Sequence, residues 1–141
     1  MIHKIGIAAV TSGLVAQGFK VLLDLLRSRH FHVLRFFDNG GMPSSHTALV
    51  TTLTLGVWHL FGVDSSIFSV TLIFSLYFVF EAAGLRQEVG NQAKVLNDLV
   101  DELRATRHVD RSRLKELVGH TWGEVLGGFV LGIMVAYLFY R

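Results

Sequence analysis

Four stretches of this sequence are almost free of charged residues and approach the length, roughly 20 residues, that a helix needs to cross a bilayer. They cover residues 5–26, 44–61, 66–85 and 120–140. Only 17% of all residues are charged, whereas about 25% is typical of soluble domains. The sequence therefore predicts an all-α integral membrane protein, in which residues 1–141 form a single domain, a helical bundle with four transmembrane helices.

The connections between these stretches predict how the helices are arranged. Residues 62–65 form only a short turn, so the second and third helices should make an antiparallel hairpin. Residues 86–119 are long and charged, and apolar side chains recur at three-to-four-residue spacing near their start. That pattern is typical of an amphipathic helix on the membrane surface or on the protein. The side chains are Leu85, Val89, Ala93, Leu96, Val100 and Leu103.

The distribution of basic residues predicts the orientation in the membrane. Ten of the 13 lysines and arginines lie in the first and third connections, which share one side of a four-span bundle. The positive-inside rule places that side in the cytoplasm, and we expect the bilayer to be the plasma membrane. The net charge of +2 is too small to indicate a nucleic-acid partner, and the absence of cysteine excludes disulfides and thiolate metal sites.

The few polar and ionisable side chains at the edges of the apolar stretches fall on one side. Ionisable groups are costly in a membrane, so each is a candidate for function. In the four-span topology all of these residues lie at the cytoplasmic ends of their helices, which predicts one shared site. They are Lys20, Asp24, Arg27, Ser44, Ser45, His46, Glu81, Arg86, His120 and Glu124.

Cations and hydroxyls favour an anionic ligand at this site. Ser44 and Ser45 follow Pro43, and a proline in the first helical turn leaves free backbone N–H groups and the positive end of the helix dipole facing an anion. Lys20 and Arg27 are seven residues apart, so they share a helix face. Arginine adds a planar fork that suits phosphate oxygens.

Two histidines and a carboxylate supply groups for nucleophilic and acid–base chemistry. Glu124 follows His120 by four residues, so its carboxylate can hold one imidazole nitrogen and make the other more nucleophilic. His46 can then protonate a leaving group.

The same residues also have structural interpretations. Lys20 and Asp24 have the spacing of a helical ion pair, and His46 could make only a helix-start hydrogen bond. His120 and Glu124 could be an interfacial pair. Glu81 could bind a cation, orient a nearby arginine or cap its helix.

Three segments carry a resemblance to a known family, and the match around them extends over nearly the whole chain, from about Gln17 to the fourth apolar stretch. The most specific is an octapeptide, Gly40-Gly41-Met42-Pro43-Ser44-Ser45-His46-Thr47, and the others are 81–97 and 114–125. With them the chain resembles the divergent branch of the type 2 phosphatidic acid phosphatase superfamily, which also includes the vanadium-dependent haloperoxidases.

The resemblance carries the superfamily's three motifs onto this chain. Lys20 and Arg27 match the first motif, although Ser28 stands where a proline is usual. Residues 43–46 match the second, proline–serine–glycine–histidine, with serine in place of glycine. His120 and Glu124 match the end of the third, with glutamate for aspartate. The arginine of the third motif is displaced, since Leu114 occupies its expected position. Its positive charge could be supplied by Arg113, one position earlier, or by Arg86 or Lys115.

The resemblance implies hydrolysis of a phosphomonoester or pyrophosphate, without metal or cofactor, through a phosphohistidine. It makes His120 the nucleophile, Glu124 its orienting carboxylate and His46 the general acid. The implied substrate is a lipid phosphate whose tails stay in the bilayer. The implied phosphate-binding residues are Lys20, Arg27, Ser44, Ser45 and Arg86.

Two other functions are considered for the same residues. The polar cluster could hold an anion or a lipid phosphate for binding or transport without catalysis. Haloperoxidase chemistry is disfavoured because those enzymes are generally larger and soluble.

The number of spans bears on the oligomeric state. Four spans are few for a superfamily whose membrane members typically have six, so a homodimer is one way to complete the bundle.

Overall fold

The computed structural model describes residues 2–28, 41–106 and 121–141, and these residues form five α-helices and no strand. The predicted all-α class is confirmed for this part of the chain. The helices are α1 (Ile2–Ser28), α2 (Ser45–Phe61), α3 (Ser66–Ala83), α4 (Leu85–Thr106) and α5 (Trp122–Tyr140).

Two of these helices are long and apolar enough to cross a membrane. They are α1, over Ile2–Leu26, and α5, over Trp122–Tyr140. The apolar part of α3, Ser66–Glu81, is shorter, and α2 has 17 residues of which several are threonines. The membrane-protein class therefore agrees with the structure, while the number of spans stays a prediction.

Serine side chains begin two of the helices. Ser44 is the N-cap of α2 and accepts a hydrogen bond from the Thr47 N–H, and Ser65 does the same for α3 with Phe68. Gly62 ends α2 with a φ of 79°, a left-handed conformation that favours glycine. Residues 62–65 thus form the predicted turn. Pro43 lies before the N-cap, so its predicted position in the first helical turn is wrong.

Helix α2 is the centre of the bundle, because the three most extensive helix–helix contacts, with α1, α5 and α3, all involve it. It runs antiparallel to α1. The Cβ position of Gly13 lies 3.5 Å from Leu49 Cδ1, and the Cβ position of Gly56 lies 3.0 Å from Ile5 Cγ2. Toward its neighbours α2 presents mostly small side chains, including Thr47, Ala48, Thr51 and Thr52.

Helices α2 and α5 run parallel and approach closely at two glycines. A Cβ at Gly132 would lie 2.7 Å from both Ala48 O and Thr51 Cβ, and a Cβ at Gly128 would collide with Ser44 O. Gly127 also lies in a close contact, because its Cβ position is 3.2 Å from Met42 Cγ. Gly123 is exposed, and its Cβ position has only Thr121 Oγ1 nearby, at 3.9 Å, because α5 begins just before it.

Among the helices, α4 packs only against α3. The predicted amphipathic helix is present. Among its described side chains Gly90, Ala93 and Asn97 are buried, and of these Ala93 belongs to the predicted apolar stripe. Val89, Leu96 and Leu103 from the predicted apolar stripe are exposed.

The contacts of the α5 glycines predict that alanine substitutions at Gly128 and Gly123 affect the stability of the protein differently. Gly128→Ala should destabilise the protein by about 1–3 kcal/mol, because the added methyl group overpacks the α2–α5 contact. Gly123→Ala is the matched control and should be neutral or stabilising by up to about 1 kcal/mol through helix propensity. Thermal unfolding in detergent measures both. Equal melting temperatures for the two variants would contradict the contact.

Candidate functional site

Four helix ends that carry the predicted polar residues meet at one end of the bundle. The parallel helices α2 and α5 begin there, and the antiparallel α1 ends there. The Ser44 N–H donates a hydrogen bond to Glu124 O over 2.9 Å, which holds the two starts together. The last turn of α3 also reaches this end, since the Phe80 and Trp122 rings make an edge-to-face contact at 6.4 Å.

Lys20 is buried at this end of α1, with only 5% of its surface exposed. Its aliphatic stem passes the chain that leads into α2, because the Cβ position of Gly41 lies 3.9 Å from Lys20 Cδ. Gly41 has a φ of 95°, which a residue with a side chain rarely adopts. A glycine of the octapeptide thus lets the chain pass beside the lysine.

Ser44 is fully buried, and its atoms join α2 to α5. Its Oγ accepts hydrogen bonds from the Thr47 N–H, at 3.3 Å, and from the Thr47 hydroxyl, at 3.1 Å. Its own N–H is donated to α5. The structure therefore gives Ser44 a capping role, and its role in binding phosphate stays a prediction.

The two residues after Ser44 lie in the first turn of α2. Ser45 is buried, and the geometry of a helix leaves its N–H without an acceptor inside α2. His46 is half-buried and lines an apolar groove between α2 and α3, together with Leu49 and Phe78. The His46 imidazole thus lies between the end of the bundle that carries Lys20, Ser44 and Glu124, called the polar end below, and an apolar surface.

Glu124 forms a capping box at the start of α5. Its Oε2 accepts a hydrogen bond from the Thr121 N–H at 3.2 Å, and its own N–H donates to Thr121 Oγ1 at 3.3 Å. Thr121 is not among the predicted site residues, although threonine followed three residues later by glutamate is a known signal for a helix start. The carboxylate is thus held at the polar end by its own helix.

The other predicted site residues are described only in part. Glu81 is half-buried in the last turns of α3. Arg27 and Arg86 lie on α1 and α4, but their side chains are outside the described part of the structure. His120, Arg113 and Lys115 lie outside the described residues altogether. Within 2–28, 41–106 and 121–141, no three His, Asp or Glu side chains form a group that could hold a metal ion.

The fold and this polar end define an all-helical membrane protein. The Divergent PAP2 family model matches residues 2–135, and the chain belongs to that family. It is also similar to "Uncharacterized membrane protein YuiD" of Bacillus subtilis (strain 168). The two sequences are 36% identical over an alignment of 148 positions, gaps included, which covers 94% of each chain. No solved structure matches the chain.

Two N-cap serines offer a test of how burial affects the cap. Ser44→Ala should destabilise the protein by about 1–3 kcal/mol, because the buried N–H and hydroxyl of Thr47 lose their acceptor. Ser65→Ala is the matched control at the opposite end of the bundle, where water can replace the lost bond, and should cost about 1 kcal/mol or less. Chemical unfolding followed by circular dichroism measures both. A larger loss for Ser65→Ala would contradict the described cap.

Proposed function

We propose that this protein is a membrane phosphatase that hydrolyses a lipid phosphate or pyrophosphate through a phosphohistidine. The observation that carries the proposal is the meeting of three motif segments at one end of the bundle. Buried Lys20 lies beside Gly41, and Ser44 is hydrogen-bonded to Glu124 O. Membership of the Divergent PAP2 family supports the same chemistry.

The proposed topology has four spans, formed by α1, α2, α3 and α5. The alternating directions of these helices support it, since α1 is antiparallel to α2 and α5 is parallel to α2. The polar end then lies at the side with most of the basic residues, which the positive-inside rule assigns to the cytoplasm. We place the protein in the plasma membrane, with α4 on the cytoplasmic side.

In the proposed reaction, an imidazole nitrogen of His120 attacks phosphorus, and the bond between phosphorus and the leaving oxygen breaks. His46 donates a proton to that oxygen and then takes one from the water that releases phosphate. Lys20, with Arg27 and Arg86, offsets the charge that builds on the phosphoryl oxygens. Lysine and arginine thereby supply the positive charge that Mg²⁺ provides in kinases.

Glu124 has two tasks in this proposal. Its carboxylate caps α5 through the Thr121 N–H, and His120 directly precedes Thr121 in the sequence. A carboxylate held in this place is suited to orient the imidazole and to stabilise its positive form.

The histidine roles predict two different losses of activity. His120→Ala should abolish phosphate release from lipid phosphates, and His46→Ala should lower kcat by about 10²–10⁴-fold, the usual contribution of a general acid. The measurement is phosphate release in detergent from a panel of lipid phosphates and pyrophosphates, with His59→Ala at the opposite end as the control. Activity unaffected by His120→Ala would overturn the mechanism.

Two variants separate the capping of α5 from the chemistry. Glu124→Gln keeps a capping box, since glutamine also fills that position, so the melting temperature should hold while kcat falls about 100-fold or more. Thr121→Ala removes the cap but keeps the carboxylate, so it should lower stability by about 1 kcal/mol and leave more activity than Glu124→Gln. The reverse order of activities would show that Glu124 acts only as a cap.

The alternative is a membrane protein that binds or transports a lipid phosphate without hydrolysing it. The specific observation in its favour is that Ser44 and Glu124 are already engaged in hydrogen bonds that shape the helix ends. Saturable binding of a lipid phosphate, with no phosphate release from any member of the panel, is the result that would establish it.

A further inference from the structure

A second groove, between α2, α3 and α5, runs away from the polar end of the bundle. Its volume is about 660 Å³, within the range of sites that bind small molecules. At the polar end it is lined by Thr47, Trp122 and Val125, and at the opposite end by Trp58 and Phe68. From the start of α2 to Trp58 the helix rises about 20 Å, so the groove follows much of the length of α2.

The part of this groove at the polar end of the bundle directly adjoins the candidate site. Thr47 lines the groove and donates a hydrogen bond to Ser44 Oγ at 3.1 Å. Val125 and Trp122 flank Glu124 in the first turn of α5. A ligand with its polar group at the site would therefore extend into this groove without leaving the protein surface.

Three of the hydroxyl groups that line the groove, those of Thr47, Thr54 and Ser75, have hydrogen-bond partners within the protein. Thr54 Oγ1 donates to Val50 O at 2.8 Å and lies 2.7 Å from Ser75 Oγ. Ser75 Oγ also lies 3.4 Å from Val50 O. Because these groups already have partners and the rest of the lining is almost wholly apolar, the groove suits a hydrocarbon chain and offers little to a polar ligand.

We propose that this groove binds one hydrocarbon chain of the lipid whose phosphate group occupies the polar end. The proposal rests on the proposed function only in placing a phosphate at that end; it does not require hydrolysis. The chain would extend from Trp122 toward Trp58, with Leu72 and Phe68 forming the far end. These residues then set the longest chain that fits.

The chain's two tryptophans allow a direct test, because both line this groove, one at each end. The probe is a long-chain alkylphosphonate, which resists hydrolysis, brominated either near its headgroup or near its methyl end. The protein is reconstituted in phosphatidylcholine vesicles that contain a small fraction of the probe. Trp58→Phe and Trp122→Phe leave one reporter each.

The proposal predicts a depth-dependent pattern of fluorescence quenching. Bromine near the headgroup should quench Trp122 more than Trp58, and bromine near the methyl end should quench Trp58 more. The control probe is the alcohol with the same brominated chain, which lacks the phosphonate and should quench less at the same fraction. Excess unbrominated alkylphosphonate should restore the fluorescence. Equal quenching by phosphonate and alcohol would show that ordinary lipid fills the groove, and would overturn the proposal.

A pair of variants tests the far end of the groove. Leu72→Phe should narrow it, so quenching of Trp58 by methyl-end bromine is lost while quenching of Trp122 by headgroup-end bromine persists. Ile73→Phe is the matched control, since Ile73 is 66% exposed and does not line the groove. Identical behaviour of the two variants would contradict the assignment of the far end.

The result is separable from the test of the phosphatase. Depth-dependent quenching without phosphate release from any lipid would support the groove and remove the proposed hydrolysis. Phosphate release without phosphonate-specific quenching would keep the hydrolysis and remove the groove.

Discussion

The close approach of α2 and α5 is the contact on which the rest of the structure depends. Apolar side chains gain little by leaving lipid for a helix–helix interface, so packing between small residues and interhelical hydrogen bonds must hold such helices together. Gly128 and Gly132 let the α5 backbone reach α2. Thr52 Oγ1 donates to Gly132 O at 3.0 Å, and the Ser44 N–H donates to Glu124 O at 2.9 Å. These two bonds fix the register of the pair.

That register is also what assembles the candidate site. If α5 slid by one turn along α2, Glu124 would no longer lie beside the start of α2, and the two proposed catalytic segments would separate. The residues that shape the helix ends and the residues with proposed chemistry are partly the same, as Ser44 and Glu124 show. Removal of either side chain therefore alters the helix end and the proposed chemistry together, and only a variant that keeps the cap separates the two.

The sequence predicted the helices well because long apolar runs and short polar connections are strong local signals. It placed α2 and α3 nearly at their observed ends. In α4 it indicated the burial of Ala93 but not that of Gly90 and Asn97, which carry no hydrophobic signal. It also could not predict the hydrogen bond from Ser44 to Glu124, because backbone groups leave no trace in side-chain spacing.

Only the position of the candidate site can be compared with the structure, because its catalytic and binding roles stay predictions. Residue types and spacing predicted that Lys20, His46 and Glu124 lie at one end of the bundle, and the structure has them there. The spacing of Thr121 and Glu124 is that of a capping box, so a structural role of Glu124 could also be predicted from the sequence. The buried environment of Lys20 depends on packing between α1 and the chain before α2, which no local pattern encodes.

The hydroxyl of Thr52 has a consequence for the order of assembly. Its partner Gly132 follows it by 80 residues, so α5 is synthesised well after α1, α2 and α3. During that interval Thr52 Oγ1 has an acceptor in its own helix, Ala48 O at 2.9 Å. Its polar group is thus satisfied within α2 before α5 is synthesised. Threonine at this position lets a late helix dock onto an early one without leaving the early helix unstable.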